Sequence, residues 1–176
     1  MLFQRTKLNG VVLIEPERIE DDRGVFARTF CAREFAKHGI NMTFAQCNTV
    51  FNTRKGTVRG LHYQCAPHEE EMLVRCTRGS AYVVVVDVRE SEPTWRTWEA
   101  FELSAANQNL LYIPKGVADG FQTLEDKTEV FFQMSQPYAP SAQRGIRYND
   151  PLVGITWPLD DVILSQRDKG FLDAGK

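Results

Sequence analysis

No stretch of this sequence approaches the ~20 consecutive apolar residues that a membrane-spanning helix requires, so the chain is expected to be soluble. An excess of one charge is missing as well: 21 Lys and Arg stand against 23 Asp and Glu, a formal net charge of −2. That balance offers no electrostatic footprint for nucleic acid or for an anionic membrane as partner. Cys31, Cys47, Cys65 and Cys76 lack CxxC spacing, and Met1-Leu2-Phe3-Gln4-Arg5 lacks the apolar run of a signal peptide. Reduced thiols and a cytoplasmic location are therefore expected. There is no internal repeat, low-complexity run or linker to justify a second domain. The 176 residues are expected to form one domain, 1–176, with a core large enough to fold without disulfides or metal. Histidine is scarce too: His38, His62 and His68 are the only three.

What is present is a succession of short β-rich segments separated by Gly, Pro, Asn and Asp. Strands are predicted at 11–15, 25–30, 43–51, 57–64, 72–76, 82–88, 110–113, 120–124 and 128–135. The segment Tyr82-Val83-Val84-Val85-Val86 is continuously apolar rather than alternating, which predicts a strand covered on both faces, by a second sheet or by another subunit. Only 32–38 and the region near 160–164 read as helical. This pattern predicts an all-β protein, an antiparallel jelly roll of the cupin type (a double-stranded β-helix) with short peripheral helices.

One histidine stands out. Arg59-Gly60-Leu61-His62-Tyr63-Gln64 puts it on a β segment beside a glycine that permits close backbone approach. Further pieces follow in order: Asp22-Arg23-Gly24, Gln46-Cys47-Asn48, Ile113-Pro114-Lys115-Gly116, Gly120-Phe121, Pro137-Tyr138-Ala139-Pro140, Asn149-Asp150-Pro151 and Leu164-Ser165-Gln166-Arg167-Asp168. Collinear along nearly the whole chain, they resemble the dTDP-4-dehydrorhamnose 3,5-epimerase family. The resemblance implies the same jelly roll, a homodimer, no metal or other cofactor, and a nucleotide-diphosphate 4-keto-6-deoxy sugar as ligand. It also implies a pathway that feeds cell-surface polysaccharide. In such a sugar the C4 ketone acidifies the hydrogens at C3 and C5. Abstracting one needs a base, a group that stabilises the enolate oxygen, and an acid on the opposite face.

By resemblance, His62 matches the family's base and Asp168 the carboxylate that orients it, fixing the tautomer and stabilising the imidazolium. Arg23, Gln46, Asn48 and Arg59 match positions that hold the pyrophosphate, where guanidinium forks suit phosphate oxygens. Tyr138 matches the aromatic residue on which the nucleobase stacks, and Phe26 belongs to the same ligand-holding set. Other positions depart from the family. Met72 stands where a lysine polarises the carbonyl, Asp119 where a second histidine precedes Gly-Phe, and Phe132 where a tyrosine serves as the acid. Methionine and phenylalanine have no proton to donate. Arg28 aligns with a glutamate and Gln143 with another acidic position; both substitutions bear on which base or sugar is accepted, so thymidine is not assumed. These departures predict altered or single-centre epimerisation. Two rivals follow from the same residues. One is a non-catalytic nucleotide-sugar-binding cupin, favoured by Met72, Asp119 and Phe132 together. The other is a metal-dependent cupin enzyme, whose ligands would map loosely to His62, Gln64, Glu70 and Asp119 and would suit Mg or Mn.

Overall fold

The computed structural model describes residues 1–173. Its strands are β1 (Leu2–Arg5), β2 (Val12–Glu15), β3 (Arg18–Asp21), β4 (Gly24–Ala27), β5 (Gln46–Asn52), β6 (Val58–Gln64), β7 (Met72–Arg78), β8 (Ser80–Asp87), β9 (Trp98–Ser104), β10 (Leu110–Ile113), β11 (Val117–Thr123), β12 (Thr128–Met134) and β13 (Gln143–Gly145). Two short helices, α1 (Ala32–Lys37) and α2 (Gln166–Lys169), accompany them. Six strands form one sheet in the order β1-β2-β10-β7-β12-β5, and five form a second in the order β13-β6-β11-β8-β9. Neighbours within each sheet run antiparallel. β3 and β4 make a separate hairpin that pairs with neither sheet. The fold is an all-β jelly roll.

Alternation along the strands sorts the apolar residues into three layers. Between the sheets lie Val74 and Cys76 of β7, Val83 and Val85 of β8, and Leu111 and Ile113 of β10. The outer face of the six-stranded sheet presents Ile14, Leu73, Leu110 and Tyr112 to Phe35 of α1 and to Ile40 and Met42 beyond it. The outer face of the five-stranded sheet presents Leu61, Val84, Val86 and Ala118 to Ile146 and Val153, with Ile155 and Trp157 at the margin.

The valine run is thus covered on both faces, inward by the second sheet and outward by the chain's own segment 146–157. Burying one such side chain contributes about 1.5–3 kcal/mol. The continuous run therefore needs no second subunit to explain it.

The strand predictions hold in outline and fail in detail where hydrophobic signal is weak. The region 160–164 is not helical: Ile163 forms a lone parallel bridge with Thr57, its N–H donating to the Gly56 carbonyl and its carbonyl accepting from Val58 N–H. The helix starts after Ser165, whose side chain accepts from the backbone N–H of Asp168 and caps α2. The strand expected at 25–30 stops at Ala27, and the one expected at 43–51 begins at Gln46. β1, β3, β9 and β13 were not predicted. Among the described residues no helix is long and apolar enough to cross a membrane.

Candidate active site

β6 and β11 come together unusually closely at the middle of the five-stranded sheet. Gly60 has φ +114°, and a Cβ there would lie 2.6 Å from the Cα of Gly120 and 2.7 Å from the carbonyl oxygen of Asp119. A Cβ on Gly120 would in turn meet the Arg59 carbonyl oxygen at 2.7 Å. Both glycines are therefore required by the approach, and a bulge between Asp119 and Gly120 completes the kink. The consequence is local. Asp119 pairs directly with His62, so their side chains emerge on the same face of the sheet.

That face opens into a cavity of about 430 Å³ between the two sheets. His62 and Asp119 line one wall, while Met72, Val74, Val130 and Phe132 of β7 and β12 line the opposite one. His62 Nε2 lies 2.8 Å from Asp168 Oδ1. The ring nitrogen donates to the carboxylate, which leaves Nδ1 to take a proton. Asp168 is 4% exposed, whereas the His62 side chain keeps 31% of its surface open. Burial works against the Asp168 carboxylate, but hydrogen bonding from His62 and Ser165 outweighs it and holds its pKa below the usual carboxylate range. Phe171 meets the His62 ring edge-on, with centroids 5.5 Å apart. Gly145 makes room for Phe171, since a Cβ there would lie 2.4 Å from its ring.

Polar side chains line the remainder. Arg59 Nε donates to Asn52 Oδ1 at 2.8 Å, which fixes the guanidinium; its two terminal nitrogens have no hydrogen-bond partner among the described residues. Gln46 Nε2 donates to Asn48 Oδ1 at 3.0 Å, and Gln46 Oε1 accepts from the Tyr138 backbone N–H at 3.0 Å. The Tyr138 hydroxyl donates to Gln143 Oε1 at 2.5 Å, while 44% of the residue stays exposed. Gln64 ties this loop to β6 by donating to the His68 and Pro137 carbonyls and accepting from Ala139 N–H. Such a rim offers amide donors, a fixed cation and an open aromatic face.

The cavity thus gathers His62, Asp168, Gln46, Asn48, Arg59, Met72, Asp119, Phe132, Tyr138 and Gln143. It does not gather Arg23, Phe26 and Arg28 of the same chain. Arg23 and Phe26 lie on the unpaired β3–β4 hairpin, where Arg23 pairs with Asp21 at 2.5 Å and Phe26 is 66% exposed. Arg28, just beyond it, is held 2.7 Å from Glu34 of α1. Sequence reasoning overlooked Tyr63, Phe121, Ser165 and Arg167, which also line the cavity. Ser165 and Arg167 sit within the Leu-Ser-Gln-Arg-Asp run, and the Ser-x-x-Asp spacing of a helix cap was the available signal. Among the described residues no group of three or more His, Cys, Asp or Glu is arranged to hold a metal ion.

A family model described as dTDP-4-dehydrorhamnose 3,5-epimerase matches residues 5–174. The chain belongs to the dTDP-4-dehydrorhamnose 3,5-epimerase family. It is similar to the dTDP-4-dehydrorhamnose 3,5-epimerase of Sinorhizobium fredii, 39% identical over 169 residues that cover 96% of this chain and 87% of that one. Its fold is similar to the dTDP-4-dehydrorhamnose 3,5-epimerase of Bacillus anthracis with TDP and pyrophosphate bound, with a TM-score of 0.95, 33% identity and coverage of 98% of each chain. It is also similar to a 3′-monoepimerase of Streptomyces bikiniensis in complex with dTDP-quinovose, with a TM-score of 0.89, 31% identity and coverage of 96% of this chain and 85% of that one. The epimerase family is one of isomerases, and the cupin jelly roll is its fold.

Proposed function

We propose that this protein is an isomerase that removes and returns a proton beside the C4 ketone of a nucleotide-diphosphate 4-keto-6-deoxy sugar, acting at a single carbon. The observation that carries the reading is the His62–Asp168 pair, 2.8 Å apart, at the wall of a cavity rimmed by Arg59 and Tyr138. His62 is the base and Asp168 its orienter. Gln46, Asn48 and Arg59 hold the pyrophosphate, and the base stacks on Tyr138. Phe26, Arg28 and Gln143 bias which base or sugar is accepted. Single-centre action follows from the opposite wall, where Phe132 presents a hydrocarbon edge in place of a proton donor. The reaction belongs to cytoplasmic carbohydrate metabolism, supplying cell-surface polysaccharide. Incubation with dTDP-4-keto-6-deoxyglucose in D₂O should label the sugar in proportion to enzyme. Bound but unlabelled sugar would favour a nucleotide-sugar-binding protein instead.

Arg59 carries a testable share of the affinity. Charge-assisted hydrogen bonds contribute about 1.5–3 kcal/mol. Arg59→Ala should therefore bind dTDP roughly ten- to a hundredfold more weakly in calorimetry. Equal affinity in the two proteins would remove the phosphate site from this rim.

The protein acts as a homodimer. The β3–β4 hairpin exposes Ile19 by 64%, Val25 by 49% and Phe26 by 66%, an apolar surface with no cover from its own chain. Arg23 and Phe26 reach a ligand only if this hairpin serves the cavity of a second copy. Light scattering should give a particle of about twice the 20.1 kDa chain mass. Phe26→Asp should reduce it to the single chain. A wild-type monomer at micromolar concentration would contradict the dimer.

A further inference from the structure

Removing a proton beside a ketone leaves negative charge on the ketone oxygen, and a site without a donor aimed at that oxygen is slow by roughly 10²–10³-fold. The cavity wall opposite His62 supplies none, because Met72, Val74, Val130 and Phe132 are hydrocarbon or thioether. Several polar groups nearby are already engaged. Gln64 donates to two carbonyls, and the Tyr138 hydroxyl donates to Gln143. Asp119 stands directly beside the base, paired with His62 across the β6–β11 ladder and lining the same cavity.

We propose that Asp119 is the enolate-stabilising residue: as a carboxylic acid beside His62 it donates its proton in a hydrogen bond to the C4 oxygen of the bound keto sugar. This rests on the proton-transfer reading above. Two features keep the carboxyl protonated. Burial, with the Glu70 carboxylate acting on it from the same cavity, pushes the Asp119 pKa up to about 8. Glu70 is itself raised by burial, and its Oε2 is buried with no hydrogen-bond partner among the described residues. Two carboxyls lining one cavity disfavour joint ionisation, which favours a proton on Asp119. The other elements around Asp119 leave this intact. β8 presents Val84, Val85 and Val86. β6 contributes His62, Tyr63 and Arg59; α2 contributes Asp168, already bonded to His62, and Arg167, which lies over Phe171. Neutral carboxylic acids are established donors to enolates in other isomerases.

The step balances without a cofactor. The C3–H bond breaks, its proton passes to His62 Nδ1, and its electron pair forms C3=C4. The C4=O π pair moves to oxygen, where the Asp119 hydroxyl holds it. On return, a water on the opposite face protonates C3, C4=O re-forms, and His62 releases its proton to solvent, which neutralises the hydroxide left behind.

The test is the pH dependence of deuterium uptake from D₂O by dTDP-4-keto-6-deoxyglucose. A required acid is lost as pH rises through its pKa, so wild-type exchange should fall about tenfold per unit above pH 8. Asp119→Asn keeps a donor that does not titrate, and should stay within about tenfold of wild type while losing the alkaline fall. Asp119→Leu should lose roughly 10²–10³ in rate. Glu70→Gln removes the neighbouring charge and should shift the alkaline fall to lower pH. In the ligand-free protein at pH 7, the infrared difference between wild type and Asp119→Asn should show a protonated-carboxyl band. Exchange in wild type with no alkaline fall, or Asp119→Leu as fast as wild type, overturns Asp119 alone. A missing carboxyl band overturns it whether or not the sugar exchanges. No exchange in wild type at any pH overturns the reaction itself and, with it, this role.

Discussion

His62→Ala should lower proton exchange at the sugar by about 10²–10⁴-fold, the range lost when a positioned general base is removed. The loss should fall on the chemical step, because the proposed contacts to phosphate and base are Arg59, Asn48 and Tyr138 rather than the imidazole. Calorimetry with dTDP should accordingly give similar affinities for wild type and His62→Ala. Asp168→Asn should show the same division for a different reason. Its amide can still sit 2.8 Å from Nε2, but it can donate to that nitrogen and stabilise the tautomer with Nδ1 protonated, which has no lone pair for the substrate. Exchange that survives intact in His62→Ala, with binding unchanged, would assign the base elsewhere in the cavity.

Phe132→Tyr should raise labelling at the second carbon by tenfold or more, because a phenol on β12 faces His62 on β6 across the space between the sheets. General acids contribute about 10²–10⁴-fold when well placed, and a newly introduced one is expected to recover part of that. The environment is suited to it. Phe132 is partly buried against the inter-sheet core, and its neighbours across the ladders are Asn48 and Val74, both at the cavity. The added hydroxyl would therefore point into a space that already contains polar groups. The measurement is the ratio of deuterium at C5 to deuterium at C3 by NMR. A ratio unchanged in a folded Phe132→Tyr protein would mean that pocket shape, and not the missing acid, sets the single-centre outcome.

Much of the fold was readable because burial imposes strong patterns on the strands that carry it. The valine run of β8, buried on both faces, announced itself by its continuity, though which element covered its outer face was not legible. That cover comes from 146–157, an irregular segment in which Ile146, Val153, Ile155 and Trp157 have no common period. The strands that went unseen are those with little to bury. All four residues of β3 are exposed, β13 has three residues, and β9 interleaves Glu99 and Glu102 with its apolar positions at a sheet edge. Edge strands need to satisfy only one neighbour and one face, so they leave a weak imprint.

The site was legible in its motifs more than in its geometry. Gly60 and Gly120 were visible as glycines in two separate motifs, but their mutual contact, which sets His62 beside Asp119, is a property of the ladder. Asp119 read as the loss of a histidine. Its neighbour Glu70, whose Oε2 is buried without a partner among the described residues in the same cavity, gives it a different significance. Arg23 and Phe26 are equally instructive, since their sequence positions say nothing of the β3–β4 hairpin that sets them apart from the cavity of their own chain.

The central claim is that His62 moves a proton at one carbon beside the ketone. Incubation of the wild-type protein with dTDP-4-keto-6-deoxyglucose in D₂O, with each ring position followed by NMR, tests it most directly. Deuterium at C3 alone, lost in His62→Ala, is the predicted result. Equal labelling at C3 and C5 would contradict single-centre action, and no label with the sugar nucleotide demonstrably bound would contradict catalysis on this substrate.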